Sequence, residues 1–106
     1  AHNALRLGRT VTDPRQGGHR VVGSTDMGNV SHLVPSIHPM IASAPSGTSI
    51  HTKQFAQFAR SPMADKAVLD GAKSMAMTAI DYWTSPECQV AVAAEFDAAN
   101  PDKNVL

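Results

Sequence analysis

The chain has 106 residues and a formal net charge of +0, which supports one domain with a modest core. Its nine basic side chains are scattered, which excludes the basic stripe of a nucleic-acid partner, and no apolar run approaches the roughly 20 residues that cross a membrane. The single cysteine, Cys88, excludes an internal disulfide and favours a reducing, cytoplasmic compartment.

The first half of the chain shows few regular elements. Residues 1–9 are typical of the last turns of a helix that ends at Gly8 in the left-handed conformation. Residues 9–35 lack apolar periodicity and predict a long irregular segment, which compact domains retain mainly where it is functional. The alternation in "SIHPMIASA", residues 36–44, predicts a strand that Pro39 places at a sheet edge or makes irregular.

The second half predicts three helices. The first covers residues 52–59. The second begins with Ser61 as N-cap and Pro62 at the first helical position, and the third begins in the same way at Ser85 and Pro86. A two-residue break at residues 84–85 separates the second from the third. The second helix has an apolar face whose residues recur at helical spacing, formed by Leu69, Ala72, Ala76, Ile80 and Trp83.

This tally predicts an α/β fold. Three or four helices accompany one clear strand and at most one weak one, and a lone strand has no ladder partner. The pattern therefore indicates part of an α/β layer, mainly helices with one or two strands, whose remaining strands lie outside the chain.

The histidines do not form a metal site by themselves. His32 and His38 are six residues apart, about 20 Å in an extended chain, which is too far to share an ion. No H-x-x-x-H, H-E-x-x-H or C-x-x-C spacing occurs. We expect His2, His19 and His32 to be surface or packing residues.

His51 has a different context. It follows the small residues of "GTS" after the predicted strand and precedes a predicted helix, where α/β folds place ligands. A neutral imidazole at this position can bind a cation, but a capping or hydrogen-bonding role fits the position equally well. Residues 23–31, "GSTDMGNVS", form a second loop that is dense in small polar side chains.

The order of these motifs resembles one known family. "GSTDMGNVSHLVPSIHPMI", followed by "GTSIHTKQF" and "ADKAVLDGAKSMAMTA", is similar to the C-terminal end of the zinc-dependent aminoacylase and carboxypeptidase family of metallopeptidases, peptidase family M-twenty. The likeness is strongest to its amidohydrolase branch, which includes dipeptidases, and it covers nearly the whole chain.

The resemblance implies a two-metal hydrolase. Two zinc-like ions would activate a shared water and polarise the amide carbonyl of an N-acyl amino acid or a small dipeptide. His51 matches the family's last metal ligand, and Thr52 follows it as in the family. The pocket-lining loop of the family matches Gly23, Ser24, Thr25 and Asp26. By the same logic Gly47, Thr48 and Ser49 could donate backbone N–H groups to a substrate carboxylate, although a plain polar turn explains Thr48 and Ser49 equally well.

The remaining machinery of the family precedes the region that matches. Its other ligands, its catalytic glutamate, its first sheet strands and its inserted lid domain, which serves dimer contact, have no counterpart here. We therefore expect residues 1–106 to be the C-terminal portion of a single three-layer α/β/α catalytic domain that needs the rest of that domain as its partner. No residue of the chain is predicted to be catalytic, and the chain alone is expected to be inactive. Whether the parent is a homodimer is left open.

A rival prediction comes from a different class of protein. The chain could be a non-catalytic helical interaction module that binds a partner through its alanine-rich faces and keeps only a relict resemblance to the hydrolases. This alternative predicts a cooperatively folded monomer without metal, whereas the fragment hypothesis predicts helix faces that lack their cover.

Overall fold

The structure of the chain, a computed structural model, describes residues 1–12 and 25–101. Five helices form most of it: α1 (His2–Arg6), α2 (Met27–Leu33), α3 (Lys53–Phe58), α4 (Pro62–Thr84) and α5 (Pro86–Ala99). The described residues group into two compact units, the first made of Ala1–Val11 and Met40–Thr78 and the second of the other described residues. Within these ranges no helix is long and apolar enough to cross a bilayer.

The predicted α/β fold class is wrong for this chain. Residues 1–12 and 25–101 contain helices and no strand, and the expected strand at residues 36–44 has no regular secondary structure. Pro39 removes one backbone donor from this stretch, and Pro35 and Pro45 flank it. The alternating side chains do not produce a strand here, because the described residues contain no second strand that could serve as a ladder partner.

Helix α2 was not predicted. It lies inside the range 9–35, whose residues 13–24 are outside the described part of the chain. Its sequence, "MGNVSHL", contains Gly28 and Asn29, which are weak helix formers, and the side chain of Asp26 makes no capping hydrogen bond. The sequence offers Asp26 as an N-cap residue, but weak helix formers follow it and obscure the helix.

The end of α1 confirms the sequence prediction. Gly8 has a φ of 72° and donates its N–H to the Leu5 carbonyl at 2.9 Å, while the Arg9 N–H donates to the Ala4 carbonyl at 3.0 Å. These two bonds form the Schellman arrangement, in which a left-handed residue satisfies the last carbonyls of a helix. The backbone of Arg9 is therefore fixed at the end of α1.

The predicted starts of the last two helices are confirmed. The Ser61 hydroxyl accepts the Ala64 N–H at 3.3 Å, and the Ser85 hydroxyl accepts the Cys88 N–H at 3.2 Å. The break between the helices is one residue, Ser85, rather than two, because Thr84 still belongs to α4. The Gln89 side chain donates to the Tyr82 carbonyl at 3.0 Å, so α5 caps the end of the preceding helix.

Helix α4 buries the side opposite to its apolar face. Ala64, Ala67 and Asp70 are buried, and Ile41 lies over Gly71 on the same side of the helix. The apolar face itself is exposed: Leu69 by 58%, Ile80 by 55% and Trp83 by 72%. The helical period was thus predicted correctly, but the described part of the chain leaves its large apolar side chains uncovered.

A charged cluster lies on the buried side of α4. The Arg9 Nε donates to the Asp70 Oδ2 at 2.7 Å, and the Lys66 Nζ donates to the same oxygen from one turn earlier. The Arg9 Nη1 also donates to the Ala42 carbonyl at 3.2 Å. The hydrogen bonds from Lys66 and then from Arg9 hold the pKa of the Asp70 carboxyl below its ordinary value of 3.8.

Replacement of Gly8 by alanine should destabilise the chain by about 1 kcal/mol, because a side chain disfavours the left-handed backbone. No atom lies within 4 Å of the new Cβ, so the cost is conformational rather than steric. Gly28→Ala is the matched control, since its Cβ is equally unobstructed within α2 and alanine favours a helix. Urea unfolding should show opposite signs for the two variants, and equal signs would contradict this account.

The Asp70 cluster should make stability depend on pH in acid. A carboxyl whose folded-state pKa is lowered stabilises the fold above its unfolded-state pKa, near 3.8, and this contribution disappears as the pH falls through the lower folded-state value. Asp70→Asn should therefore be less stable than the wild type at neutral pH, and the gap should narrow below about pH 3.8. Thermal unfolding across that range measures it, with Glu95→Gln in the exposed part of α5 as control. A gap that stays constant with pH would contradict it.

Candidate functional site

A short turn leads from the irregular segment into α3. The Thr48 N–H donates to the Pro45 carbonyl at 3.2 Å, and Gly47 adopts a φ of 83° within that turn. A left-handed residue at the third position of a tight turn is a role that glycine fills without steric cost. The small residues of this stretch are therefore needed by the backbone.

Thr52 holds the residues on both sides of His51. Its hydroxyl accepts the Phe55 N–H at 3.1 Å, which caps α3, and donates to the Ser49 carbonyl at 2.8 Å. One side chain thus joins the start of the helix to the loop before it. His51, the second residue after Ser49, lies within this clamp.

His51 has an unusual backbone. Its φ is 60°, and among the residues that the structure describes it is the one non-glycine with a positive φ. Histidine enters this left-handed region more often than most residues, but the conformation still carries a conformational cost. The side chain is exposed, so the imidazole is accessible from outside the unit. Its role as a metal ligand stays a prediction.

The structure places the other predicted site residues as follows. Gly47 and Ser49 are exposed and Thr48 is half-buried, all in the turn before His51. The Thr48 N–H is already used by the Pro45 carbonyl, so a substrate carboxylate would have to bind elsewhere in the turn. This bond favours the polar-turn alternative for Thr48.

The second predicted loop is described in part. Gly23 and Ser24 lie outside the described residues. Thr25 and Asp26 are exposed and stand immediately before α2, where the Thr25 carbonyl accepts the Gly28 N–H at 2.9 Å and the Asp26 carbonyl accepts the Asn29 N–H at 3.1 Å. Their backbone thus starts the helix, while their side chains remain accessible.

A recess that the sequence did not predict lies beside this loop. It has a volume of about 510 Å³, and Thr25, Ser31, Ser36, His32 and His38 are among its lining residues. His32 lies at the end of α2 and His38 in the following segment without regular secondary structure, and both line this recess. Because the recess depends on how α2 and that segment pack, no local sequence pattern indicated it.

The orientation of His32 is fixed by Asn100. The Asn100 Nδ2 donates to the Phe96 carbonyl at 3.0 Å, so its Oδ1 faces the His32 Nδ1 at 3.3 Å and accepts from it. In the neutral ring Nε2 is then the free acceptor. His32 is exposed, as expected for a surface residue, and it acts there as a hydrogen-bond donor to the end of α5.

The described residues do not assemble a metal site. Across residues 1–12 and 25–101, no three side chains among histidine, cysteine, aspartate and glutamate gather closely enough to hold an ion. Any metal that His51 binds would need its other ligands from elsewhere, because such ions require three or four protein ligands or waters.

Two curated proteins are similar to the chain. Xaa-Arg dipeptidase of Mus musculus is 38% identical over 84 residues, which is 79% of this chain and 19% of that protein. Xaa-Arg dipeptidase of Homo sapiens is 40% identical over 74 residues, which is 70% of this chain and 17% of that protein. No family model matches the sequence, and no solved structure matches it.

These matches relate the chain to proteins that carry a peptidase name. The chain spans about a fifth of the length of the curated relatives it matches. The predicted relationship to peptidases is confirmed. The more specific assignment to one metallopeptidase family remains a prediction.

Replacement of Thr52 by alanine should cost about 1 kcal/mol of helix stability, because the Phe55 N–H loses its acceptor and the Ser49 carbonyl its donor. Thr52→Ser keeps the oxygen and is the matched control. Amide hydrogen exchange at Phe55 measures the effect, which should be a faster rate in the alanine variant alone. Equal exchange in both variants would show that the cap is not formed.

Proposed function

We propose that this chain is part of a metal-dependent peptidase that hydrolyses the amide bond of a small dipeptide or N-acyl amino acid, and that His51 supplies the last metal ligand. The observation that carries this proposal is the similarity to proteins named Xaa-Arg dipeptidase over 79% of the chain. That name narrows the proposed substrate to a dipeptide whose second residue is arginine.

The geometry around His51 supports a ligand role. Its ring is exposed, and its backbone is held by the Thr52 clamp in a conformation that few side chains adopt freely. A histidine kept in such a position fits a function that needs the imidazole at one fixed point. Two zinc-like ions, when bound in the complete protein, would supply an activated water and polarise the amide carbonyl.

Each of the two loops, taken by itself, offers small polar residues to a substrate. In the second unit Thr25 lines the recess and Asp26 is exposed, and in the first unit Gly47 and Ser49 are exposed next to His51. Hydroxyl, carboxylate and backbone groups of this kind can bind the polar ends of a dipeptide. The Asp26 carboxylate is suited to a cationic group such as a guanidinium.

The exposed apolar face of α4 is the observation that supports a partner for this chain, namely the rest of a catalytic domain. Leu69, Ile80 and Trp83 recur at helical spacing and stay uncovered within the described residues. Isolated exposed apolar residues are common, but an aligned series on one helix face marks a surface that another element covers. We propose that the covering element belongs to the same catalytic domain.

A longer polypeptide that contains this chain should bind two divalent ions and hydrolyse Xaa-Arg dipeptides. His51→Ala in that polypeptide should lower the bound metal from two ions toward one and reduce hydrolysis by at least about 100-fold, since a lost ligand disrupts the metal pair. Metal content by elemental analysis and initial rates with dipeptides measure the two effects. The control is His2→Ala, another exposed histidine, which should retain both properties.

Full activity and full metal content in the His51→Ala variant would remove His51 from the site. A longer polypeptide that neither binds metal nor hydrolyses dipeptides, alongside a 106-residue chain that unfolds cooperatively as a monomer, would instead favour the helical interaction module. The exposed face of α4 would then bind a separate protein.

A further inference from the structure

We infer that Arg9 is a positioning residue for the loop that carries His51. This inference rests on the proposed function, because the placement of the His51 ring matters for catalysis only if the ring is a ligand. All the residues involved belong to the first compact unit.

Arg9 is well suited to fix a neighbouring segment. Its backbone N–H closes the Schellman end of α1 on the Ala4 carbonyl, and its side chain is only 19% exposed. The planar guanidinium presents donors in a fixed fork, so bonds made by two of its nitrogens define one orientation. A side chain anchored in this way can fix the position of the backbone that it contacts, in addition to neutralising a charge.

The guanidinium group of Arg9 links helix α4 to the backbone of a segment without regular secondary structure. The Nε group donates to Asp70, whose side chain is 9% exposed in the middle of α4, and the Nη1 group donates to the Ala42 carbonyl. Lys66 also pairs with Asp70, but it is 62% exposed and, among the described residues, does not bond to the segment at Ala42. Arg9 therefore connects α4 to the loop, whereas Lys66 only pairs with the Asp70 carboxylate.

The segment after Ala42 leads directly to the proposed ligand. Ile41 lies over Gly71 and Ala44 is buried, which sets the path of the backbone up to the turn at residues 45–48. The Thr52 clamp then fixes the other end of the loop. Because residues 40–52 lie outside regular secondary structure, such individual ties determine where His51 is held.

Three variants of the chain test this role. Arg9→Ala removes both bonds. Arg9→Lys keeps the positive charge for Asp70 but loses the fork that also reaches Ala42. Lys66→Gln is the matched control, because it removes the other cation on the same carboxylate without touching the loop.

Amide hydrogen exchange at Thr48 and the NMR signals of His51 are the measurements. Both Arg9 variants should speed Thr48 exchange by about tenfold or more, as expected when a charge-assisted hydrogen bond is lost. They should also shift the His51 ring signals and its backbone coupling, which reports φ. Amides in the middle of α4 should keep their protection in Arg9→Lys, and Lys66→Gln should leave the loop signals as in the wild type.

Two results would overturn the inference. Wild-type exchange and wild-type His51 signals in both Arg9 variants would show that the loop is placed without Arg9. A uniform loss of protection across α4 and the loop in Arg9→Lys would show that the residue merely stabilises the unit. Neither readout involves metal or hydrolysis, so the outcome is separate from that of the proposed function.

Discussion

The ion pair between Arg9 and Asp70 organises the first unit of the molecule. The arginine is fixed by the left-handed end of α1, and the carboxylate lies on the covered side of α4. The largely buried carboxylate is tolerated because Arg9 and Lys66 both donate to it, while the Arg9 Nη2 group is buried without a hydrogen-bond partner among the described residues. The apolar core of the unit consists of alanines, and few large side chains are buried. Hydrogen bonds and ion pairs therefore determine more of its structure than they do in most small domains.

The sequence predicted features that depend on neighbouring residues and did not predict those that depend on residues far apart in the chain. The helix starts at Ser61 and Ser85 and the end at Gly8 depend on a few neighbouring residues, and all three were correct. The strand at residues 36–44 was wrong because a strand needs a partner that local alternation does not reveal. Helix α2 was missed because its composition opposes a helix, and the recess beside it was missed with it. Of the site, the setting of His51 between a turn and a helix was predictable, while its left-handed backbone was not.

Helix α4 shows that periodicity and burial are separate properties. The sequence encodes an apolar face with the correct spacing, but α1 and the segment at residues 40–44 contact the opposite face, where small residues permit close approach. The large apolar side chains of the other face stay exposed among the described residues. This is consistent with a chain that spans about a fifth of the curated proteins it resembles.

The left-handed backbone at position 51 sets the stability of the fold against the ligand role proposed for His51. Glycine would relax the main chain there, and asparagine would tolerate it, but either exchange deletes the ring. Variants selected purely for thermal robustness would therefore drift away from histidine at this point. If natural homologues keep histidine at this position in spite of that tendency, selection acts on the imidazole itself.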